Sequence, residues 1–324
     1  MSRLPASLEF RSYRRPFKSP LRTAHGLWCL REGILLRLTD AAGRVGWGEI
    51  APIVEFGTES MGQAIQFCRS LPAEIMPDLL SQIPASLPAC QFGLESAWET
   101  LAHSPPPSPA YSHSYLLPTG AAALLVWQSA WQSGVRTFKW KIGVAPLHEE
   151  LSLFEQLVTT LPAAAQLRLD ANGGLNWEQA IQWLRQADRH RKVEFLEQPL
   201  PPDQFDELLK LSDRFSTPIA LDESVTTVEQ LEAHHQQGWR GIVVVKAALA
   251  GSPNQLRQVI QANQLDVVWS TAFETAIGRQ YIQSYLIPSV PDRGRAIGFG
   301  VKHWFENSAL DQSAFEQAWK SLAG

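Results

Sequence analysis

A chain of 324 residues, 45% hydrophobic and 19% charged, is long enough for one large domain or two ordinary ones with real cores. Its net charge of −4, its pI near 6.1 and the lack of any basic block favour neither nucleic acid nor an anionic membrane. Cys29, Cys68 and Cys90 show no CxxC spacing, which suits reduced thiols of the cytoplasm better than a disulfide framework or a zinc site. The opening "MSRLPASLEFRSYRR" lacks the apolar stretch of a signal peptide, and no apolar run nears the roughly 20 residues that span a bilayer. The expectation is a cytoplasmic globular protein.

The first third reads as mixed α+β. "GILLRLTD" and "GRVGWGEI" are strand-like and joined by a turn at Ala41–Gly43, which predicts a hairpin. Helical patterns follow around Glu59–Leu71 and Cys90–Ala102. The proline-rich "HSPPPSPA" cannot continue a helix and marks a boundary. Beyond it, short apolar strands alternate with amphipathic helical segments: "SYLLP", "TFKWKIG", "LRLDANG", "VEFLEQP", "PIALDES", "GIVVVKAA", "DVVWSTAF" and "RAIGFG". This rhythm predicts an α/β fold, a (β/α)7β-type TIM barrel behind an α+β N-terminal capping domain. The expected division is residues 1–105 for the cap, 106–300 for the barrel, and 301–324 for a tail that packs back on the cap. No GxGxxG follows any strand, which removes the main sign of a dinucleotide site.

Polar residues recur at the C-terminal end of each strand. Lys141, Asp170, Glu197, Asp222, Lys246 and Ser270 follow one another at intervals of 29, 27, 25, 24 and 24 residues, about one β/α unit each. In a barrel, strand ends converge on a single mouth. Each residue alone has a bland reading. Asp170 in "LDAN" and Asp222 in "LDES" suit helix caps or turns, Glu197 in "EQP" a strand-to-loop transition, and Lys246 a snorkelling side chain. Lys139 and Lys141 of "KWK" could share a solvated strand face. Their common phase along successive units is what outweighs these readings.

Three clustered carboxylates, Asp170, Glu197 and Asp222, repel one another unless a cation sits among them, and an all-oxygen set suits Mg²⁺. Arg168, Asp170 and Asn172 share strand parity. Lys141 precedes the carboxylate strands and Lys246 follows them, so the two lysines are expected on opposite sides of the metal. A substrate carboxylate held between them suits abstraction of its α proton, with a lysine of lowered pKa as the base.

In this order, "KWK", "LDANG", "EQP", "LDES" and "VVVK" resemble the muconate-cycloisomerase branch of the enolase superfamily, and within it the o-succinylbenzoate synthase family. The likeness covers nearly the whole chain, including "GWGEIAP" and "STAFETAIG". "RLDAN" and "STAFET" favour the synthases, and "PDRGRAIGFG" lacks the DxD with which dipeptide epimerases commonly hold a substrate amine.

The resemblance implies dehydration of a small-molecule carboxylate, 2-succinyl-6-hydroxy-2,4-cyclohexadiene-1-carboxylate, to 2-succinylbenzoate. Lys141 and Lys246 are the implied catalytic residues, and Asp170, Glu197 and Asp222 the implied ligands of Mg²⁺, with Mn²⁺ as the alternative. Lys139 is expected to depress the pKa of Lys141, with Arg168, Asn172 and Glu223 in support. Thr23 and His25 in "RTAHGLW" are candidate substrate contacts in a lid formed by that loop and "PIVEFGTES". Ser270, Thr271 and Gly298 are candidates at the barrel end, with the succinyl carboxylate expected on backbone N–H groups near Ser270 and Thr271. A racemase or epimerase of the same branch and a non-catalytic binding barrel are the competing readings.

Overall fold

The computed structural model describes residues 5–23, 26–104, 106, 109–300, 304–305, 309–312 and 314–322. Two sheets organise them. The first is antiparallel, in the order β3-β2-β1-β4, from β1 (Ala6–Thr23), β2 (Gly26–Asp40), β3 (Val45–Ile50) and β4 (Glu74–Ile75). The expected β2–β3 hairpin is present, with Thr39 opposite Val45. The long β1 is absent from the reading of the sequence.

Helices α1 (Met61–Ser70) and α2 (Pro88–Ala102) cover this sheet. Ser60 and Gln63 form a capping box that starts α1. Glycines let β3 approach α2 backbone to backbone. A Cβ on Gly48 would sit 2.1 Å from the Gly93 carbonyl oxygen, and one on Gly46 equally close to that of Ala97.

The second sheet is wholly parallel: β5 (Ser114–Leu116), β6 (Thr137–Lys141), β7 (Gln166–Asp170), β8 (Val193–Glu197), β9 (Ile219–Leu221), β10 (Ile242–Val245) and β11 (Asp266–Trp269) lie side by side in chain order. The expected eighth strand, "RAIGFG", shrinks to single bridges. Ile297 pairs with His113 beside β5, and Gly298 with Ser270 after β11. Backbone hydrogen bonds Ser114 N–H to Ile297 O (3.0 Å) and Gly298 N–H to Trp269 O (2.8 Å) close the barrel there. Glycine on both sides of Phe299 gives this segment little to propagate a strand with.

Helices α3 (Ala123–Gln132), α4 (Leu147–Thr160), α5 (Trp177–Ala187), α6 (Phe205–Arg214), α7 (Val228–Gln236), α8 (Ala247–Ala250), α9 (Pro253–Asn263) and α10 (Ala276–Tyr281) follow the strands. Capping boxes at Asn176/Gln179 and Thr227/Gln230 start α5 and α7. The large core lies between strands and helices. Among the described residues, Phe195, Ala220, Ile242, Val244 and Val268 form the apolar cluster of the barrel interior. Because strand side chains alternate, the residues two further along, Glu197, Asp222, Lys246 and Ser270, rise above that plug to the mouth.

The tail carries α11 (Phe315–Ser321), whose Trp319 packs with Tyr13, Leu35 and Trp47 on the first sheet. Among the described residues, no helix is long and apolar enough to cross a membrane.

Candidate active site

Lys141, Asp170 and Glu197 are the last residues of β6, β7 and β8, while Asp222, Lys246 and Ser270 immediately follow β9, β10 and β11. All six line one cavity of about 590 Å³, together with Lys139, Arg168, Asn172, Glu223, Thr271 and Gly298. Three carboxylate strands separate Lys141 from Lys246. The three carboxylates are 2%, 1% and 5% exposed.

Buried carboxylates need compensation. The Lys139 ammonium lies 2.9 Å from Asp170 Oδ2 and 2.7 Å from Glu197 Oε1, and Lys246 donates to Asp222 Oδ1. Burial works against the Lys139 charge, but Asp170, Glu197 and Asp222 outweigh it and raise its pKa. Burial likewise opposes ionisation of Asp170, yet Lys139 and Lys141 hold its carboxyl below the usual range. Glu197 fares differently: burial and the neighbouring Asp170 charge push it up to about 8. Burial and Asp222 lift Glu223 to about 7. The acidic cluster therefore exceeds what its lysines neutralise.

The lysines take unlike partners. Lys139 bridges two carboxylates and Lys246 holds a third, whereas Lys141 Nζ donates to the neutral amide oxygen of Asn172 at 2.9 Å. Asn172 Nδ2 donates in turn to Glu223 Oε1 at 3.0 Å. Arg168, beneath the mouth, forks onto Glu194 (2.7 and 3.3 Å), donates to the Ala296 carbonyl and lies over the Phe195 ring at 4.9 Å.

Two expectations for the substrate end change. The backbone N–H of Ser270 is engaged by Val245 O (2.9 Å) and that of Thr271 by Gly298 O (3.2 Å), so barrel closure leaves neither for a substrate carboxylate. The Thr271 hydroxyl is also taken, donating to Glu274 Oε2 at 2.9 Å. In "RTAHGLW" the flanks are strand rather than loop, Arg22 pairing with Leu27 and Thr23 with Gly26 across β1 and β2, while Ala24 and His25 lie outside the described residues. In "PIVEFGTES", Val54–Phe56 form a single 3₁₀ turn.

The rim of the mouth is aromatic, with rings from β2, the 54–56 turn, the segment after β11 and the tail. Trp28 packs against Phe56 (6.5 Å between centroids) and Phe273 (6.4 Å), and Phe273 against Trp304 (6.4 Å). These four rings line the cavity, and Phe56 sits 4.6 Å over the Lys246 ammonium.

Sequence reasoning missed Gln198. Fully buried, with φ at +37°, it accepts from the backbone N–H groups of Asp222 (2.9 Å) and Ser224 (3.2 Å) and donates to Leu200 O (2.9 Å) and Ser224 Oγ (2.7 Å). It thereby fixes where β9 delivers Asp222. A glutamine wedged between Glu197 and Pro199 at a strand end was the available signal.

Residues 8–101 match the family described as MenC, N-terminal domain, and residues 123–282 the family described as Enolase C-terminal domain-like. The chain is 41% identical to an o-succinylbenzoate synthase of Thermosynechococcus vestitus, across 97% of this chain and 98% of that protein. The chain belongs to the o-succinylbenzoate synthase family.

A crystal structure of an o-succinylbenzoate synthase from Thermosynechococcus elongatus, described as complexed with Mg in the active site, superposes with a TM-score of 0.91 at 40% identity, covering 97% of this chain and 99% of that one. The L-Ala-D/L-Glu epimerase of Bacillus subtilis shares the fold at a TM-score of 0.77 and 20% identity, over 93% of this chain and 91% of that one. Membership in the o-succinylbenzoate synthase family makes the chain an enzyme, a hydro-lyase with a small-molecule substrate.

Proposed function

We propose how this site carries out the family's reaction, the syn dehydration of 2-succinyl-6-hydroxy-2,4-cyclohexadiene-1-carboxylate to 2-succinylbenzoate and water, a step of menaquinone and phylloquinone biosynthesis in the cytoplasm. The observation that carries the reading is the placement of Lys141 and Lys246 across one cavity with three buried carboxylates between them. Lys141 takes the proton α to the substrate carboxylate. The electron pair left behind forms the new ring double bond as the C–O bond of the hydroxyl breaks, and the same ammonium, still on that face, protonates the departing oxygen as water. Lys246 stays cationic beside the enediolate, where its fixed charge needs no reorganisation.

Asp170, Glu197 and Asp222 would hold Mg²⁺, or Mn²⁺ in its place. The fit rests on donor chemistry: three buried carboxylates, all-oxygen, with burial and the neighbouring Asp170 charge holding Glu197 against ionisation. Among the described residues, no three such groups already stand as a closed ligand set. Binding would draw them partly away from Lys139 and Lys246. Bound there, the cation would supply positive charge to the substrate carboxylate as its α proton becomes acidic.

The polypeptide divides, in this reading, into a cap (1–105), a barrel (106–300) and a returning tail (301–324), with the aromatic roof excluding water. The test is loss of diene absorbance with and without EDTA, and in Lys141→Ala and Asp222→Ala. Turnover that survives chelation, or near-wild-type turnover in either variant, would overturn the assignment.

A further inference from the structure

Asn172 departs from its neighbours in two ways. Its φ is +45°, in the left-handed region that asparagine and glycine tolerate best, and its side chain is the neutral partner of a lysine in a site where the other two lysines are held by carboxylates. A carboxylate partner draws an ammonium onto itself by charge, whereas an amide oxygen accepts one N–H along a fixed direction and leaves the nitrogen's other positions open to the cavity. The amide could also turn over. Its NH₂ would then face the Lys141 nitrogen in place of the oxygen, and the hydrogen bond that aims Lys141 would be lost. Glu223 Oε1 prevents this by accepting from Asn172 Nδ2 at 3.0 Å, and an Asn172 N–H bond to Asp170 Oδ1 at 3.1 Å pins the backbone.

We infer that Asn172 is a positioning residue of the reaction: its side-chain amide, locked in one orientation by Glu223, aims the Lys141 nitrogen into the cavity. This rests on the reading above in which Lys141 is the acid/base. The mundane alternative is that asparagine stands there only because the turn needs φ above zero.

Asn172→Gly separates the two, because glycine keeps the turn and deletes the amide. The expected result is a kcat lowered by ~10²-fold with KM within about threefold, the scale on which misplacement of a reacting group acts. The thermal midpoint and the calorimetric Mg²⁺ affinity should stay near wild type. Glu223→Ala, which frees the amide to turn, should lower kcat by ~10-fold, and Glu223→Gln, whose Oε1 still accepts, should recover most of that loss.

An Asn172→Gly enzyme with a kcat within about threefold of wild type would overturn the inference. Should that variant fold poorly, the Glu223 pair decides: equal kcat in Ala and Gln forms also overturns it. Lys141→Ala serves as the control that keeps the two readings apart. If it retains turnover, the acid/base assignment falls and takes this inference with it; if it is inactive while Asn172→Gly is not, only the positioning role falls.

Discussion

Glu49 Oε2 accepts from both the backbone N–H (2.9 Å) and the hydroxyl (2.6 Å) of Thr275, joining β3 of the first sheet to the N-terminus of α10 at the barrel. The same carboxylate receives the Gly278 N–H at 3.0 Å and the Tyr13 hydroxyl at 2.5 Å, and none of it is exposed. It serves a helix terminus with unsatisfied donors and sits where the macrodipole favours a negative charge. Glu49→Ala leaves those buried donors without an acceptor. The expected cost is roughly 3 kcal/mol, read as a lower urea midpoint at unchanged slope. A midpoint equal to wild type would show the joint to be dispensable.

A second prediction concerns the floor of the barrel. Arg168 reaches Glu194, Glu194 reaches Arg295 at 2.7 Å, and Arg295 forks onto Asp266 (2.7 Å to each oxygen), so that four charges from β7, β8, β11 and the closing segment form one chain. The Arg168 side chain is 2% exposed and that of Glu194 12%. Removing the shared anion with Glu194→Gln leaves Arg168 buried with little compensation and should cost about 3 kcal/mol. Because the pair is shielded from solvent, the loss should be nearly the same at low and high NaCl. Melting curves at two salt concentrations check this; a deficit that vanishes in high salt would mean the network behaves as a surface pair.

How far the sequence could be read follows from what each segment faces. Strands β6 to β11 are covered on both sides, so they appear as short apolar runs, and a charged residue closing such a run stands out. Strand β1 shows none of this, since "ASLEFRSYRRPFKSPLRT" mixes arginines, a lysine and two prolines along a ribbon that is partly solvated. The eighth strand is legible in position but not in length, because apolar composition does not reveal that, among the described residues, its bridges are confined to Ile297 and Gly298. Lys141, Asp170, Glu197, Asp222 and Lys246 were visible through their shared phase. Gln198 and Glu49 were not, because the backbone groups they satisfy lie 24 and 226 positions away. The same non-local bonding engages the N–H groups of Ser270 and Thr271.

A third prediction follows from the outer surface. On α7, the His234 ring stacks on Phe205 with centroids 4.0 Å apart, and burial lowers its pKa from 6.5. Below pH 6.5 the unfolded chain therefore binds more protons at this position than the folded one, and stability rises with pH. The contribution is whole above pH 6.5 and disappears as pH falls through the lowered folded value. His235, also lowered by burial, acts in the same direction. His234→Phe keeps an aromatic ring against Phe205 and removes the titration. Urea midpoints measured from pH 7.5 to pH 5 should fall less steeply in the variant, and identical slopes would refute the assignment.

The last prediction tests the contact between roof and lysine. Phe56 reaches Lys246 from the 54–56 turn, with the ammonium 4.6 Å from the ring centroid and the Trp28 ring behind it. A ring face in that position attracts the cation while excluding water, and a water-poor setting strengthens the field that Lys246 exerts on developing negative charge. Phe56→Leu keeps an apolar side chain but removes the π face. A contact worth about 0.5–2 kcal/mol corresponds to a drop of ~2–30-fold in kcat/KM. Phe56→Trp, which retains a π face, should lose less. Since Phe56 is only half-buried, the thermal midpoint should move little in either variant. Equal losses for leucine and tryptophan would place the effect in packing of the roof rather than in the cation–π contact, and no loss in either would remove Phe56 from the site altogether.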